Sequence, residues 1–370
     1  MRKYIGILLV AGILISMSQT VIACDFFNKK IKTIEKPTVA QITKEKTSDI
    51  EVVPTMNSDI GNNNAMWVGT FQIVWNEMLD NIVHHPAEFV GGTNKTAQNL
   101  NKREFNKTDI SESSYYTKYG IVSPELKKEI EKGIKEKFNE TSDILDNIDF
   151  TFDPMKLLIY AMLKKDFKFL EAFDKLNTGK FGTISDEKVE YFGINSNSSY
   201  KLYKNVTVLF YNNDNDYAVK LHTQSNDEVI LYRTNDVKKL NEYFNDVQTK
   251  SKNNNENYFG SNDRLKIPNI SLYQMTSFKE LEGKSIKNTN FKIDQTIETI
   301  DFKMDNEGVK LKSEAAMIMK CTSAGGPPPQ IRYFYFDKDF VLFLIEKDKN
   351  VPYFALRTTD IYALNKTGKK

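Results

Sequence analysis

The side chains that could carry acid–base, nucleophilic or metal chemistry are few in this chain. Its 370 residues include 3 histidines and 2 cysteines. Two cysteines cannot build a Cys-based zinc site. The sequence contains neither a Gly-x-Ser-x-Gly nucleophile motif nor a zinc-binding His-Glu-x-x-His helix. It therefore predicts that the protein is not an enzyme and has neither a metal site nor a cofactor.

The three histidines suit structural roles better than chemical ones. His84 and His85 are neighbours, and adjacent side chains on a helix point in different directions. Asp80 lies one turn before His84, but two ligands alone make a poor metal site. His222 falls in a segment of alternating polarity, which is typical of a half-buried sheet residue rather than a catalytic base.

The N-terminus has the pattern of an export signal. Met1 to Lys3 is positively charged, 4–17 is a short apolar run, and Val21-Ile22-Ala23-Cys24 follows. These four residues resemble a bacterial lipobox, in which the thiol corresponding to Cys24 receives a lipid and becomes the first residue of the mature protein. We therefore expect a signal peptide over 1–23 and a protein anchored by lipid to the extracytoplasmic face of the cell membrane. The alternative is an ordinary signal peptide with an incidental cysteine.

The charge balance excludes one class of partner. The chain has 51 Lys plus Arg against 49 Asp plus Glu, and two of the cations, Arg2 and Lys3, lie in the signal peptide. The processed chain is therefore neutral, without the single-signed field that nucleic-acid binders need. Once Cys24 is lipidated, Cys321 has no cysteine left to pair with inside the chain.

A polar segment separates the signal from the part that can fold. Residues 24–64 are rich in Lys, Thr, Asn and Asp, with little hydrophobic period, which predicts a flexible tether. A protein-binding tail is the alternative. We place the folded domain at 65–370, where 40% apolar residues across the chain are enough for a large core.

Helical spacing dominates the first part of this domain. Apolar residues recur at i, i+3, i+4 and i+7 over 67–83, and His84-His85-Pro86 ends the pattern. Ser123-Pro124-Glu125 is a helix start, with a hydroxyl cap, a proline in the first turn and an acid near the positive end of the dipole. The stripe behind it is Leu126, Ile130, Ile134 and Phe138.

After residue 149 the hydrophobic period changes to two, apart from a helical stretch at 236–247. Helices followed by strands indicate an α+β fold with mostly antiparallel sheets. The predicted strands are 157–163, 189–194, 206–211, 217–222, 228–233, 265–270, 293–304, 340–346 and 353–358.

The segment between the last strands resists assignment to regular structure. Residues 321–329 contain two glycines and three consecutive prolines, so neither a helix nor a strand can continue through them. A stretch of about twenty residues without a core face, set between buried strands, indicates an exposed functional loop. Its first half has the composition of a strand and could add itself to a sheet.

The residues around this loop resemble the serpin family. Asp305-Asn306-Glu307-Gly308, followed by Ser313-Glu314-Ala315-Ala316, resembles the hinge of the serpin reactive loop. The segments 340–346 and 352–357 are similar to the two buried C-terminal strands of serpins. The segment 158–174 is similar to their central strand. The resemblance covers about the last 200 residues, in matching order.

The resemblance implies both a fold and an activity. It implies a serpin-like domain that is monomeric and inhibits an extracellular serine or cysteine protease: the protease cuts the loop, the loop inserts into the main sheet, and the acylated protease is distorted. The hinge would comprise Glu307, Gly308, Ser313, Glu314, Ala315 and Ala316. The candidate scissile region is Lys320, Cys321, Thr322, Ser323, Ala324, Gly325 and Gly326.

Two features leave a second function open. Val309 to Lys312 intervenes in the hinge, and Met317 to Met319 replaces small residues. Lys310 and Lys312 share one face of an extended chain, so insertion would be opposed if that face were the core and remain possible if it were the solvent side. The alternative is a non-inhibitory cell-surface lipoprotein that binds a ligand or a partner.

Overall fold

The computed structural model of the protein describes residues 50–142, 144–183, 185–252, 258–309 and 331–367. Its helices are α1 (Gly69–Met78), α2 (Lys95–Leu100), α3 (Pro124–Phe138), α4 (Leu240–Lys252) and α5 (Ile361–Thr367). Its strands are β1 (Ile50–Val52), β2 (Asn64–Val68), β3 (Tyr115–Val122), β4 (Asp153–Leu163), β5 (Phe167–Lys168), β6 (Asp174–Gly179), β7 (Val189–Ile194), β8 (Val206–Asn213), β9 (Asp216–His222), β10 (Asp227–Arg233), β11 (Arg264–Pro268), β12 (Ile270–Thr276), β13 (Glu298–Met304), β14 (Gly308–Val309), β15 (Tyr333–Tyr335), β16 (Phe340–Glu346) and β17 (Phe354–Thr358).

Two larger sheets and three strand pairs organise these elements. A seven-stranded sheet has the order β1-β2-β17-β16-β10-β9-β8, and a four-stranded sheet has the order β15-β11-β7-β6. The pairs are β12–β13, β14–β5 and β3–β4. Within the described residues every ladder is antiparallel except β1–β2 and β11–β15. The predicted α+β class with mostly antiparallel sheets is confirmed.

The centre of the seven-stranded sheet forms the main core. β10 and β16 pair over seven residues each, and every residue of both strands is buried. Strands covered on both faces are apolar almost without alternation, as the sequence Phe-Val-Leu-Phe-Leu-Ile of β16 is. The helix α4 covers this sheet through Phe244, whose ring centroid lies 5.2 Å from that of Phe343.

The first predicted helix starts later than its hydrophobic pattern suggested. Trp67 and Val68 belong to β2, where they pair with Ala355 and Phe354 of β17. Two bulky apolar residues fit a helix face or a buried strand equally well, and the available partner strand decides between them. The helix then continues past Met78 as a π-helical turn and ends at His84, which has a φ of 61°.

The predicted start of α3 is confirmed in detail. The Ser123 hydroxyl accepts a hydrogen bond of 3.1 Å from the Leu126 backbone N–H, and Pro124 is the first helical residue. Leu126, Ile130 and Ile134 are buried, and they pack with residues of β3 and β4 in one apolar cluster.

The ordered sheet begins before the predicted domain boundary at 65. Residues 50–52, which fall in the predicted tether, form β1 and pair in parallel with β2. Ile50 is buried against the main core, because an apolar residue beside an open sheet edge gains by covering it. Residues 24–49, and Cys24 with them, lie outside the described residues. Among the helices that are described, none is long and apolar enough to cross a membrane.

Candidate functional site: the strand gap and the hinge

Two strand pairs leave unpaired edges near each other. Among the described residues, β4 pairs only with β3, and β13 pairs only with β12. Both pairs pack on α1: Ile159 of β4 contacts the apolar cluster of Phe71, and the Phe71 ring lies 4.3 Å from that of Phe278, just after β12. We call the space between the free edges of β4 and β13 the strand gap.

One end of the strand gap is closed by two very short strands. β5 follows β4, and β14 follows β13, each after a short connection. β14 and β5 pair antiparallel, with Gly308 opposite Lys168 and Val309 opposite Phe167. The ends of β4 and β13 are therefore held together, while the rest of their edges remains available for pairing.

The chain reverses direction where it leaves β13. The Gly308 N–H donates to the Asp305 carbonyl at 3.3 Å, and the Asp305 N–H donates to the Gly308 carbonyl at 3.1 Å. The Asp305 side chain accepts from the Glu307 N–H at 3.0 Å, a common way for aspartate to stabilise a turn. The Phe169 and Phe173 amides bond the carbonyls of Glu307 and Asn306. This turn sends β14 back along the strand gap.

Gly308 is required by the geometry of this turn. Its φ is +146°, and a Cβ atom there would lie 2.5 Å from the Phe167 carbonyl oxygen and 2.6 Å from the Lys168 Cα. Both neighbours are backbone atoms and cannot move aside cheaply.

We expect Gly308→Ala to lower the free energy of unfolding by about 1–3 kcal/mol, because it adds both backbone strain and a steric clash. Urea denaturation measures the change. Gly61→Ala is the control, since a Cβ atom there would meet only Glu51 Oε2 at 3.7 Å. Equal losses in the two variants would contradict this role of Gly308.

A buried ion-pair cluster holds the connection between β4 and β5. Lys165 Nζ lies 2.8 Å from Asp227 Oδ1 and also pairs with the fully buried Glu346. The Ser111 N–H and hydroxyl donate to Glu346 as well. Burial raises the pKa of Glu346, but the bonds from Lys165 and Ser111 outweigh it and the pKa is lowered overall. The cluster fixes the start of β5, against which β14 pairs.

Glu298 is a buried acid at the other end of β13. Both of its carboxylate oxygens are buried, and neither has a hydrogen-bond partner among the described residues. Burial raises the pKa of Glu298 to about 8, and the nearby Phe71 backbone N–H, whose geometry falls short of a hydrogen bond, opposes this rise. An ionisable group is therefore buried where β13 meets α1.

Glu298 was not identified from the sequence, although a signal for it exists. Glu298, Ile300, Phe302 and Met304 alternate along β13, and all four are buried. Once that strand is recognised, its alternation assigns the acid to the core face.

The predicted hinge is only partly described. Glu307 and Gly308 lie in the turn and at the start of β14. Ser313, Glu314, Ala315 and Ala316 lie outside the described residues, as does the candidate scissile region from Lys320 to Gly326.

The histidines occupy structural positions. His222 Nε2 lies 2.8 Å from Thr207 Oγ1, and His222 Nδ1 lies 3.4 Å from Glu228 Oε1 on the neighbouring strand. His84 is the left-handed residue that ends the first helix. In the part of the chain that the structure describes, no group of three His, Cys, Asp or Glu side chains could hold a metal ion.

Comparisons with known sequences give little overlap. No family model matches the chain. A stretch of 139 residues, 37% of this chain, is 30% identical to the DNA-directed RNA polymerase subunit beta of Neospora caninum. The chain spans 13% of that protein's length.

Solved structures similar to this chain include three serpins. Serpin48, a highly specific serpin of the insect Tenebrio molitor, is 12% identical, with a TM-score of 0.43 over 79% of this chain and 96% of its own. Thyroxine-binding globulin in complex with thyroxine is 10% identical, with a TM-score of 0.44 over 80% and 93%. Human glycosylated kallistatin is 10% identical, with a TM-score of 0.45 over 80% and 92%. These structures belong to the family that the sequence resembles, and the fold described above is serpin-like.

Proposed function

We propose that the chain is an exported, lipid-anchored serpin-like protein that inhibits an extracellular serine or cysteine protease by loop cleavage and insertion. The observation that carries the proposal is β14. Its two residues run antiparallel to β5 at the closed end of the strand gap. This is the direction that a new strand between β4 and β13 needs, and the free edges of both strands offer it backbone partners.

The burial of Val309 supports insertion of the residues that follow. Val309 is buried in the main core cluster. If the strand continues from β14, side chains alternate, so Leu311 and Ser313 turn to the core while Lys310 and Lys312 turn to solvent. The ammonium groups then keep their hydration, and the desolvation cost that would oppose insertion does not arise. This alternation favours the second of the two possibilities that the sequence left open.

A covalent adduct with a protease is the direct test. The protease nucleophile attacks a carbonyl within 320–326, the peptide bond breaks, and the amine leaves, so the protease is held by an ester or thioester. Incubation with a panel of serine and cysteine proteases should give a complex that survives denaturing electrophoresis. The matched control is each protease with its nucleophile replaced by alanine, which should give none. Cleavage by active protease without any adduct, across the panel, would contradict inhibition.

The lipid anchor has a separate test. We expect Cys24→Ser to move the protein from the detergent phase to the aqueous phase in a detergent-partition assay, because lipid attachment needs the thiol. Cys321→Ser removes the other cysteine and should leave partition unchanged. Equal membrane retention of the Cys24→Ser and wild-type proteins would exclude the lipoprotein assignment.

A second candidate function is the non-inhibitory binding of a ligand or partner at the cell surface. The observation that favours it is a cavity away from the strand gap, beside α4. Its floor is apolar and its rim is rich in carboxamides, which is typical of small-molecule sites.

A further inference from the structure

The cavity beside α4 has a volume of about 300 Å³, the lower end of the range for small-molecule sites. Its floor includes the buried rings of Trp67, Phe105 and Phe244. Its rim includes exposed amides from α4 and from the turn between β16 and β17, among them Gln248 and Asn350. A ligand could enter past the amides and rest on aromatic surface.

Two side chains that line this cavity carry buried polar atoms without a hydrogen-bond partner in the described part of the chain. They are the indole Nε1 of Trp67, a donor, and Oδ1 of Asn241, an acceptor. Trp67 is only 2% exposed, so its N–H is not left to bulk solvent. Buried polar groups without partners cost free energy, and at the wall of a cavity they indicate where a ligand would bind.

The orientation of the Asn241 amide follows from its neighbours. Asn241 Nδ2 donates to Asn57 Oδ1, and Asn57 Nδ2 donates to the Glu104 carboxylate. A carboxylate only accepts, so it fixes the Asn57 amide, which in turn fixes that of Asn241. The carbonyl oxygen of Asn241 is therefore the atom left free to accept.

The charge of the lining selects the ligand class. No lysine or arginine lines the cavity, so an anionic ligand would find no counter-charge. The one charged residue of the lining, Glu104, already accepts a bond from Asn57. The remaining polar side chains are amides and one hydroxyl, Thr55. A neutral ligand with several hydrogen-bonding groups fits this set.

We propose that the cavity binds a neutral polyhydroxylated ligand of the carbohydrate class. A hydroxyl both donates and accepts, so neighbouring hydroxyls can accept from the Trp67 N–H and donate to the Asn241 carbonyl. The apolar face of a sugar ring packs on aromatic side chains, which this floor provides. The proposal rests on the second candidate function and names its ligand class.

Titration calorimetry of the full-length protein with N-acetylglucosamine, maltose and myo-inositol tests the proposal. We expect saturable binding of at least one of them. Asn241→Leu should weaken it about tenfold, the effect of losing one hydrogen bond of about 1.4 kcal/mol. Gln98→Leu removes an exposed amide of α2 outside the cavity and should leave the affinity unchanged.

A second readout uses the small number of tryptophans. The chain has 2, and Trp75 is in a separate apolar cluster, so Trp75→Phe leaves Trp67 as the reporter of the cavity. Its fluorescence should shift with the same midpoint as the heat signal.

Three results would overturn the proposal. Equal weakening by Asn241→Leu and Gln98→Leu would place the sugar elsewhere. Binding of a fatty acid or another apolar ligand, but of no sugar, would retain the ligand-binding function and reject this ligand class. Absence of binding by any neutral, charged or apolar probe would reject both.

Discussion

Cleavage of the folded protein within 320–329 is expected to raise its melting temperature by about 10 °C or more. After the cut, residues 309–319 are free to pair between β4 and β13, whose facing edges are open within the described residues. A new strand of this length adds a ladder of hydrogen bonds worth about 0.5–1.5 kcal/mol each and buries further apolar side chains. A gain of several kcal/mol shifts the midpoint by this amount even in a domain of this size.

Two variants that differ only in register make the prediction specific. Leu311→Glu places a carboxylate on the side that Val309 shares, which is buried, and should abolish the rise in melting temperature. Lys310→Glu places the same group on the opposite side and should retain it. Limited proteolysis, mass spectrometry of the nick and a melting curve give the comparison.

The register variants also define failure. If the loop were only an exposed connection, cutting it would remove a chain constraint, and the midpoint would stay level or fall in all proteins. An equal rise in both variants would mean that insertion follows a different register. A rise without a protease adduct would indicate insertion by a non-inhibitory protein.

Hydrophobic alternation predicted the central strands well. The bounds of β7 and β16 agree with the prediction, and β8, β9 and β10 differ from it by at most two residues. These strands lie inside or beside the core, where one or both faces must be apolar, so the pattern is strong. The predicted edge position of the aromatic segment at 333–336 is also confirmed, since β15 is the outer strand of its sheet with Phe334 and Phe336 buried.

The missed elements have weak local patterns. β3 carries a lysine and a glycine among tyrosines, and β14 has only two residues, so a distant partner strand decides each of them. β12 was assigned only at its first residue, Ile270, because Tyr273 to Thr276 is polar and half-buried. The same dependence on partners moved Trp67 from the predicted helix into β2.

The site was predicted unevenly, for reasons of chemistry. Glu307 and Gly308 were found through the serpin resemblance, and the backbone clash at Gly308 now gives that glycine a physical role. The cavity residues were not found, because amides and aromatic rings far apart in sequence have no spacing that brings them together. Glu298 was missed because the predicted strand, 293–304, was too long to define which of its faces is buried.

The buried carboxyl of Glu298 should make the protein less stable as the pH rises from 5 to 8. Its pKa is about 8 when folded, against about 4.5 when unfolded. Between these values the unfolded chain has released the proton that the folded chain still holds, so stability falls with rising pH. The expected loss is about 3–4 kcal/mol, since each pKa unit corresponds to about 1.4 kcal/mol. Below pH 4.5 both states are protonated, and above pH 8 the loss is complete.

Glu298→Gln should remove this pH dependence, because glutamine has nearly the same shape and no charge at any pH. Urea denaturation from pH 5 to 8.5 would then give a flatter profile, with the variant close to wild type at pH 5 and more stable by about 3 kcal/mol at pH 7.5. Asp301→Asn is the control, since Asp301 is exposed on the same strand. If wild type and Glu298→Gln had parallel profiles, the carboxyl would be ionised in the folded state, with a partner outside the described residues. The folded protein would then contain an ion pair at the point where β13 must separate from β4 to admit a new strand, and a neutral Glu298 removes that obstacle.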